Sequence, residues 1–267
     1  SYNSHLETLR TLVKAKMDHI LVYTCMMLNG SEMNTPQERE KWGLKTKYRI
    51  LPRDFVKLSN EKNIMEIEEV IVANNTLTFE EYVDLRIVAI SMYITNFGVV
   101  YDALLKFLHE KHVDVFDLFL RSSRINENTP KIIASILEKA KDDTKNELWD
   151  SPEEIESYYQ NEKNYQRLIT GEDGKNILQF YHALVFAEHM QKWTDYILST
   201  AKIVLKDEGK FDEETKLQFL DIENHCKGVS HNPFGEDRMQ TNPEFKFNYD
   251  ISNWLKDKNS NSLDQFK

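Results

Sequence analysis

The sequence predicts an α+β, predominantly helical fold. A small sheet is expected from N-terminal strands near 19–28, 46–52 and 66–73, joined by a C-terminal strand near 244–251, around a large helical middle. Three observations predict it. Apolar residues recur at helical spacing through most of residues 79–227. Short apolar or alternating runs bounded by turn residues lie towards the two ends of the chain. Capping signatures at Thr35-Pro36-Gln37-Glu38, Thr78-Phe79-Glu80-Glu81 and Ser151-Pro152-Glu153-Glu154 mark helix starts.

Taken in order, Leu6, Leu9, Leu12, Val13 and Met17 sit at helical spacing and predict an opening helix. His19–Leu28 is an apolar run closed by Asn29-Gly30, the pattern of a strand buried on both faces, as in parallel sheets. The capped helix at Thr35 ends at Gly43, and extended segments follow at Thr46–Leu51 and Glu66–Ala73. The most hydrophobic stretch is 79–110. Within it Ser91, Thr95, Gly98, Asp102 and Lys106 fall within about 80° of one another at helical pitch, predicting a core helix with one narrow wet stripe rather than a membrane span. Asn96, on the opposite side, requires a buried hydrogen-bond partner. Further helices are expected at 113–122, 130–150, 151–170, 175–206 and 212–227, with a turn at Gly171–Gly174 and an irregular loop over 228–243. Phe245, Phe247, Tyr249 and Ile251 then alternate with polar residues, which predicts a half-buried strand returning to the N-terminal sheet.

Composition narrows the chemistry. The chain has 267 residues, 40% hydrophobic and 11% aromatic, enough for a sizeable core. Forty-four acidic against 34 basic residues give a net charge of −10, which argues against nucleic acid as a partner. Cys25 and Cys226 are the two cysteines, too few for a disulfide scaffold, a four-Cys zinc site or a cysteine-ligated iron–sulfur cluster, and they suit a reducing, cytoplasmic setting. No signal peptide is visible before Leu12.

Most catalytic constellations are missing. No Glu is followed three residues later by His, as helical di-iron sites require. His182 and His189 share a helix face but stand about 10.5 Å apart along the axis, too far for one ion. Glu223, His225, Cys226 and His231 are ligand types near a helix end, where a half-buried Cys beside loop histidines is the simpler account. Gly-x-Ser-x-Gly and glycine-rich phosphate loops do not occur.

One constellation survives. Gly30, Ser31 and Glu32 follow directly on the first apolar run, where ligands of α/β folds approach the strand ends. Lys45–Phe55 then interleaves charges with apolar residues, and Arg49 and Arg53 need partners there. Those partners are either Glu32 or Glu66 within the protein, or a ligand carboxylate or phosphate.

These blocks, Tyr23–Glu32, Lys45–Phe55, Glu66–Val72, Thr76–Tyr82 and Leu85-Arg86, with Phe247–Leu255 as a closing segment, resemble the end of the barrel and the region after it in radical S-adenosylmethionine enzymes that carry a cobalamin-binding domain. The resemblance covers about 1–90 and 243–256, and the helical middle lies outside it. It implies that residues 1–60 are the tail of an α/β barrel with its sealing segment and 61–267 a helical accessory domain. It also implies that the chain is a C-terminal portion of a longer enzyme. Such enzymes hold a [4Fe–4S] cluster on a Cys-x-x-x-Cys-x-x-Cys loop that this chain lacks, so no cofactor is expected here. The parent is expected to use the cluster and S-adenosylmethionine, with cobalamin as a further cofactor. Gly30, Ser31 and Glu32 would lie near cofactor and substrate, and Arg49 and Arg53 in the sealing segment. The expected partners are the N-terminal remainder of the polypeptide and a small-molecule substrate. An uncovered edge strand also admits a homodimer. A helical protein-interaction or dimerisation module without a ligand is the alternative.

Overall fold

The computed structural model describes the chain except residues 18, 59–61, 97, 231–243 and 260. In chain order its elements are α1 (Tyr2–Lys14), α2 (Pro36–Trp42), β1 (Lys45–Lys57), β2 (Asn63–Ala73), α3 (Phe79–Asn96), α4 (Asp102–Glu110), α5 (Val115–Ser122), α6 (Lys131–Asn146), α7 (Pro152–Tyr159), α8 (Glu162–Ile169), α9 (Ile177–Leu184), α10 (Met190–Asp207), α11 (Glu213–Val229) and α12 (Ile251–Lys256). The fold is the predominantly helical α+β class that the sequence predicts, with β1 and β2 as an antiparallel pair. No helix among the described residues is long and apolar enough to cross a membrane.

The chain packs as two units. The first is Ser1–Leu6, Leu21–Ala89 and Glu138–Phe180; the second is Glu7–Ile20, Ile90–Leu137 and Tyr181–Lys267. The boundary expected near residue 60 falls among residues outside the description, and β1 and β2 on either side of it both belong to the first unit.

In the first unit the β1–β2 pair is covered on both faces, which the two-residue period of its side chains explains. Ile50 and Met65, with Tyr48, Phe55 and Ile67, pack against Ile155 and Tyr159 of α7 and Tyr165 and Leu168 of α8. Val70 and Val72 point the other way, towards Tyr82 and Val83 of α3 and Leu148. The ladder slips between Ile50 and Phe55, and Arg53 in that irregularity has φ +66°. Helix starts follow their capping signatures. The Thr78 hydroxyl accepts from the Glu81 N–H at 3.2 Å while the Glu81 carboxylate accepts from the Thr78 N–H at 2.7 Å.

The first expected strand is corrected. Residues 19–28 form no strand and touch the sheet at one bridge, Met26 opposite Val70, antiparallel rather than parallel. The Met27 N–H donates to the Glu69 carbonyl (2.8 Å) and the Ile71 N–H to the Cys25 carbonyl (2.9 Å), along the edge of β2 away from β1. Nor is this run buried on both faces: Leu21, Tyr23, Met26 and Leu28 are 48%, 82%, 45% and 60% exposed.

In the second unit the expected long helix over 79–110 is broken at Gly98, whose φ of +109° is open to glycine, giving α3 and α4. The stripe expected to be wet is instead buried at Ser91 and Thr95. The Ser91 and Ser122 hydroxyls are 2.7 Å apart, and the Trp193 indole N–H donates to the Thr95 hydroxyl at 3.2 Å, so partners from α5 and α10 replace water. Asn96 is half-buried. A π-helical turn, Val185–His189, interrupts the helix carrying His182 and His189, and His182 stacks on Phe186 at 4.2 Å between ring centroids.

The C-terminal strand over 244–251 is also corrected. Residues 244–250 form no ladder, α12 begins at Ile251, and this segment belongs to the second unit whereas the sheet belongs to the first. Buried Asp221 of α11 is the physical reason. Its carboxylate accepts the Asn248 N–H (2.5 Å) and the Tyr249 N–H (2.8 Å), using the donors a ladder would need. Asp250 then caps α12 by accepting from the Asn253 N–H at 3.0 Å. Asp221→Ala strands the buried Tyr249 donor and the part-buried Asn248 donor, and the expected loss of stability is about 2–4 kcal/mol by denaturant titration. A loss below about 0.5 kcal/mol, the size of an ordinary surface substitution, contradicts this anchoring role.

Candidate functional site

The local sequence builds one wall of a site from the turn after residue 28. Gly30 takes φ +78°, a left-handed conformation that favours glycine. The Ser31 hydroxyl donates to the Leu28 carbonyl at 2.8 Å, and the Asn34 amide donates to the same carbonyl at 3.2 Å. Asn34 in turn accepts from Arg39 of α2, and Arg39 pairs with Glu69 on β2 at 2.8 Å. These bonds fix the turn and α2 against the sheet, and they commit Ser31 to the turn itself.

A second wall comes from α3. Tyr82 and Arg86 are four residues apart, so they project from one helix face, and both are more than nine-tenths buried. Next to them lies a buried ion cluster. Arg49 stands directly opposite Glu68 in the ladder, and its guanidinium donates to Glu68 (2.5 Å) and to Glu147, just beyond α6 (2.8 Å). The three side chains are 12%, 9% and 17% exposed, so the pairing is largely desolvated and each partner depends on the others. Burial works against the charge on Arg49, but Glu147 and Glu68 outweigh it and hold the guanidinium charged. Burial is also the largest influence on Glu147 and raises its carboxyl above the ordinary range, against the pull of Arg49 and Arg86. The Tyr82 hydroxyl is pushed up, again chiefly by burial, with the Arg86 charge opposing.

The turn, α2, residues 22–25, the end of β2 and α3 line an open cavity of about 1040 Å³. Its wall includes Thr24, Cys25, Glu32, Trp42, Tyr82 and Arg86. Two buried nitrogens of residues in this wall, His5 Nε2 and Arg86 Nε, have no hydrogen-bond partner, and the buried Thr24 and Tyr82 hydroxyls have no partner beyond each other. Leaving a buried donor or acceptor unmade costs about 1–3 kcal/mol each, so this concentration marks a place where bonding capacity is held in reserve. Glu38, also in the wall, is occupied by Lys41 (2.8 Å) and the Trp42 indole N–H (2.7 Å).

The five candidates from the sequence are not brought to one concavity. Glu32 lines the large cavity, and Gly30 and Ser31 form the turn leading into it. Arg49 lines a separate hollow of about 80 Å³ with Glu147, Asp143 and Lys175. Arg53 is exposed on the β1 irregularity, its N–H donating to the Gly174 carbonyl at 3.2 Å, and it lines neither. The internal clamp foreseen for the arginines exists for Arg49, but on Glu68 and Glu147 rather than Glu32 or Glu66. Sequence reasoning missed Tyr82, Arg86, Thr24 and His5. A signal was present for Arg86, the one charge in the apolar run Leu85–Ile94 of α3.

No metal site emerges. Among the described residues no group of three or more His, Cys, Asp or Glu is placed to hold an ion. Cys226 is buried, which pushes its thiol up to about 12, and Glu223 is engaged by Lys202 (2.6 Å) and Lys227 (2.7 Å). His231 of that cluster lies outside the described residues. Two cysteines do not fit the three-thiolate cluster implied by the resemblance.

Compared with known proteins, the sequence matches no family model and no curated protein at a significant level.

The ion cluster yields a pH prediction. The folded-state pKa of Glu147 lies above its ordinary value of 4.5, so its protonation favours folding. That contribution is full below the unfolded value and is lost as pH rises through the raised one. Arg49→Met removes the strongest opposing pull and moves the folded value further up. The variant is expected to be about 3–5 kcal/mol less stable at pH 7. As pH rises above 4.5, its stability should fall more steeply than that of the parent protein. Denaturant titrations across a pH series check this; parallel pH profiles contradict it.

Proposed function

We propose that this chain is the C-terminal, substrate-contacting portion of a radical S-adenosylmethionine enzyme of the cobalamin-binding group, closing the barrel and performing no radical chemistry by itself. The observation that carries this reading is the convergence of four of the six resembling blocks. Tyr23 and Glu32 of the first, Ile71 of the third, Leu77 and Tyr82 of the fourth and Arg86 of the fifth line the same cavity, although they are scattered over more than sixty positions. Enclosure by several distant segments is how proteins form small-molecule sites. The exposed apolar side chains of Leu21, Tyr23, Met26 and Leu28 support it further, since a cluster of exposed apolar side chains is surface that preceding polypeptide would cover.

On this reading the cluster, S-adenosylmethionine and cobalamin are held by the preceding part of the polypeptide. The present chain supplies walls that bind substrate and exclude water. The alternative, a helical interaction or dimerisation module, accounts for the exposed apolar side chains but not for the convergence at the cavity.

The reading frame upstream of Ser1 tests the proposal. It is expected to encode a Cys-x-x-x-Cys-x-x-Cys loop, and the longer polypeptide, purified without oxygen and supplied with iron and sulfide, should carry a [4Fe–4S] cluster and cleave S-adenosylmethionine. An upstream sequence without that loop, or a longer polypeptide that binds no iron, overturns it.

A further inference from the structure

The wall of the first unit's cavity is chemically uneven. Near α3 it carries Arg86, whose buried Nε lacks a partner, with the Tyr82 and Thr24 hydroxyls, which have none beyond each other. Apolar surface in the same wall comes from Val22, Met33, Trp42, Leu77 and Leu85. Arg86 brings a permanent positive charge. Glu147, which feels the charge of Arg86, directs its hydrogen bond to Arg49, so it offsets that charge without occupying the Arg86 N–H groups. A buried guanidinium beside two hydroxyls is the donor set that receives a carboxylate or phosphate.

The acidic residues decide between those two. Glu32 and Glu38 border the same cavity, and Lys41, the other cation in the wall, is taken by Glu38. A phosphate monoester, with a charge of roughly −1.5 to −2 at neutral pH, meets more repulsion there than a singly charged carboxylate. We infer that the cavity binds an organic carboxylate with an apolar body, its carboxylate received by Arg86 with the Tyr82 and Thr24 hydroxyls and its body lying against Trp42, Met33 and Leu77. The inference names the substrate class for the role proposed above and rests on that reading.

The test uses the chain itself and 4-phenylbutyrate, with 4-phenylbutyramide as neutral isostere and phenyl phosphate as the competing anion, by isothermal titration calorimetry. The carboxylate is expected to bind at least about 10-fold more tightly than the amide and more tightly than the phosphate. Arg86→Met should weaken the carboxylate about 10- to 100-fold and abolish its advantage over the amide. Should that variant fail to fold, Tyr82→Phe and Thr24→Val keep the packing and remove the hydroxyls, and each should weaken the carboxylate several-fold while leaving the amide unchanged. Equal binding of acid and amide, tighter binding of the phosphate, no saturation at millimolar probe, or carboxylate affinity indifferent to all three substitutions overturns the inference. A negative result here together with a three-cysteine loop upstream of Ser1 overturns the ligand class and leaves the broader reading standing.

Discussion

Arg49, held between Glu68 and Glu147, is the interaction on which the first unit depends. A two-stranded ribbon has little stability alone and must bury both faces. One face does so with aromatic and aliphatic side chains against α7 and α8. The other meets α3 and the end of α6, and there the ladder register sets Arg49 opposite Glu68 in the middle of the contact. Charges in that position are tolerated because one guanidinium satisfies two carboxylates from different parts of the chain. The same arrangement leaves Arg86, on the neighbouring helix, charged and balanced but without a hydrogen-bond acceptor for its Nε. Fold stability and the character of the cavity thus have a common origin.

Much of the architecture was legible because it is local. The capping residues Thr35, Thr78 and Ser151 each accept the expected backbone N–H, and Gly43 ends α2 in the left-handed conformation. The errors are long-range. Alternation at Phe245–Ile251 reads as a strand until Asp221, distant in sequence, takes the N–H groups of Asn248 and Tyr249. The apolar run 19–28 reads as an interior strand because its composition does not say how much of it finds a neighbour. Here it meets β2 at a single bridge.

The candidate site was legible in outline and wrong in its membership. Glu66 and Glu68 share a face of β2, but the register places Glu68 opposite Arg49, and no pattern in the sequence announces Glu147 as the second partner. Tyr82 and Arg86 sit inside a helix that reads largely as core, where the lone charge of Arg86 is the one signal, and their place beside the cavity follows from the segments that pack around them. Glu32 and the Gly30 turn, chosen for their place after an apolar run, do border the cavity. The turn thus links the sequence reading to the site, and the arginine that matters for the cavity is Arg86 rather than Arg49 or Arg53.

The central claim is that Arg49 takes up the carboxylates of the buried cluster and so leaves the guanidinium of Arg86 without an acceptor beside the cavity. Arginine side-chain NMR on the labelled chain tests this most directly, because the Nε–H proton moves downfield when it donates to a carboxylate. The account predicts a downfield Nε–H for Arg49 that is indifferent to added 4-phenylbutyrate, and an upfield Nε–H for Arg86 that shifts downfield as the carboxylate is titrated in. An Arg86 proton already downfield in the free protein and unmoved by the titration would contradict it.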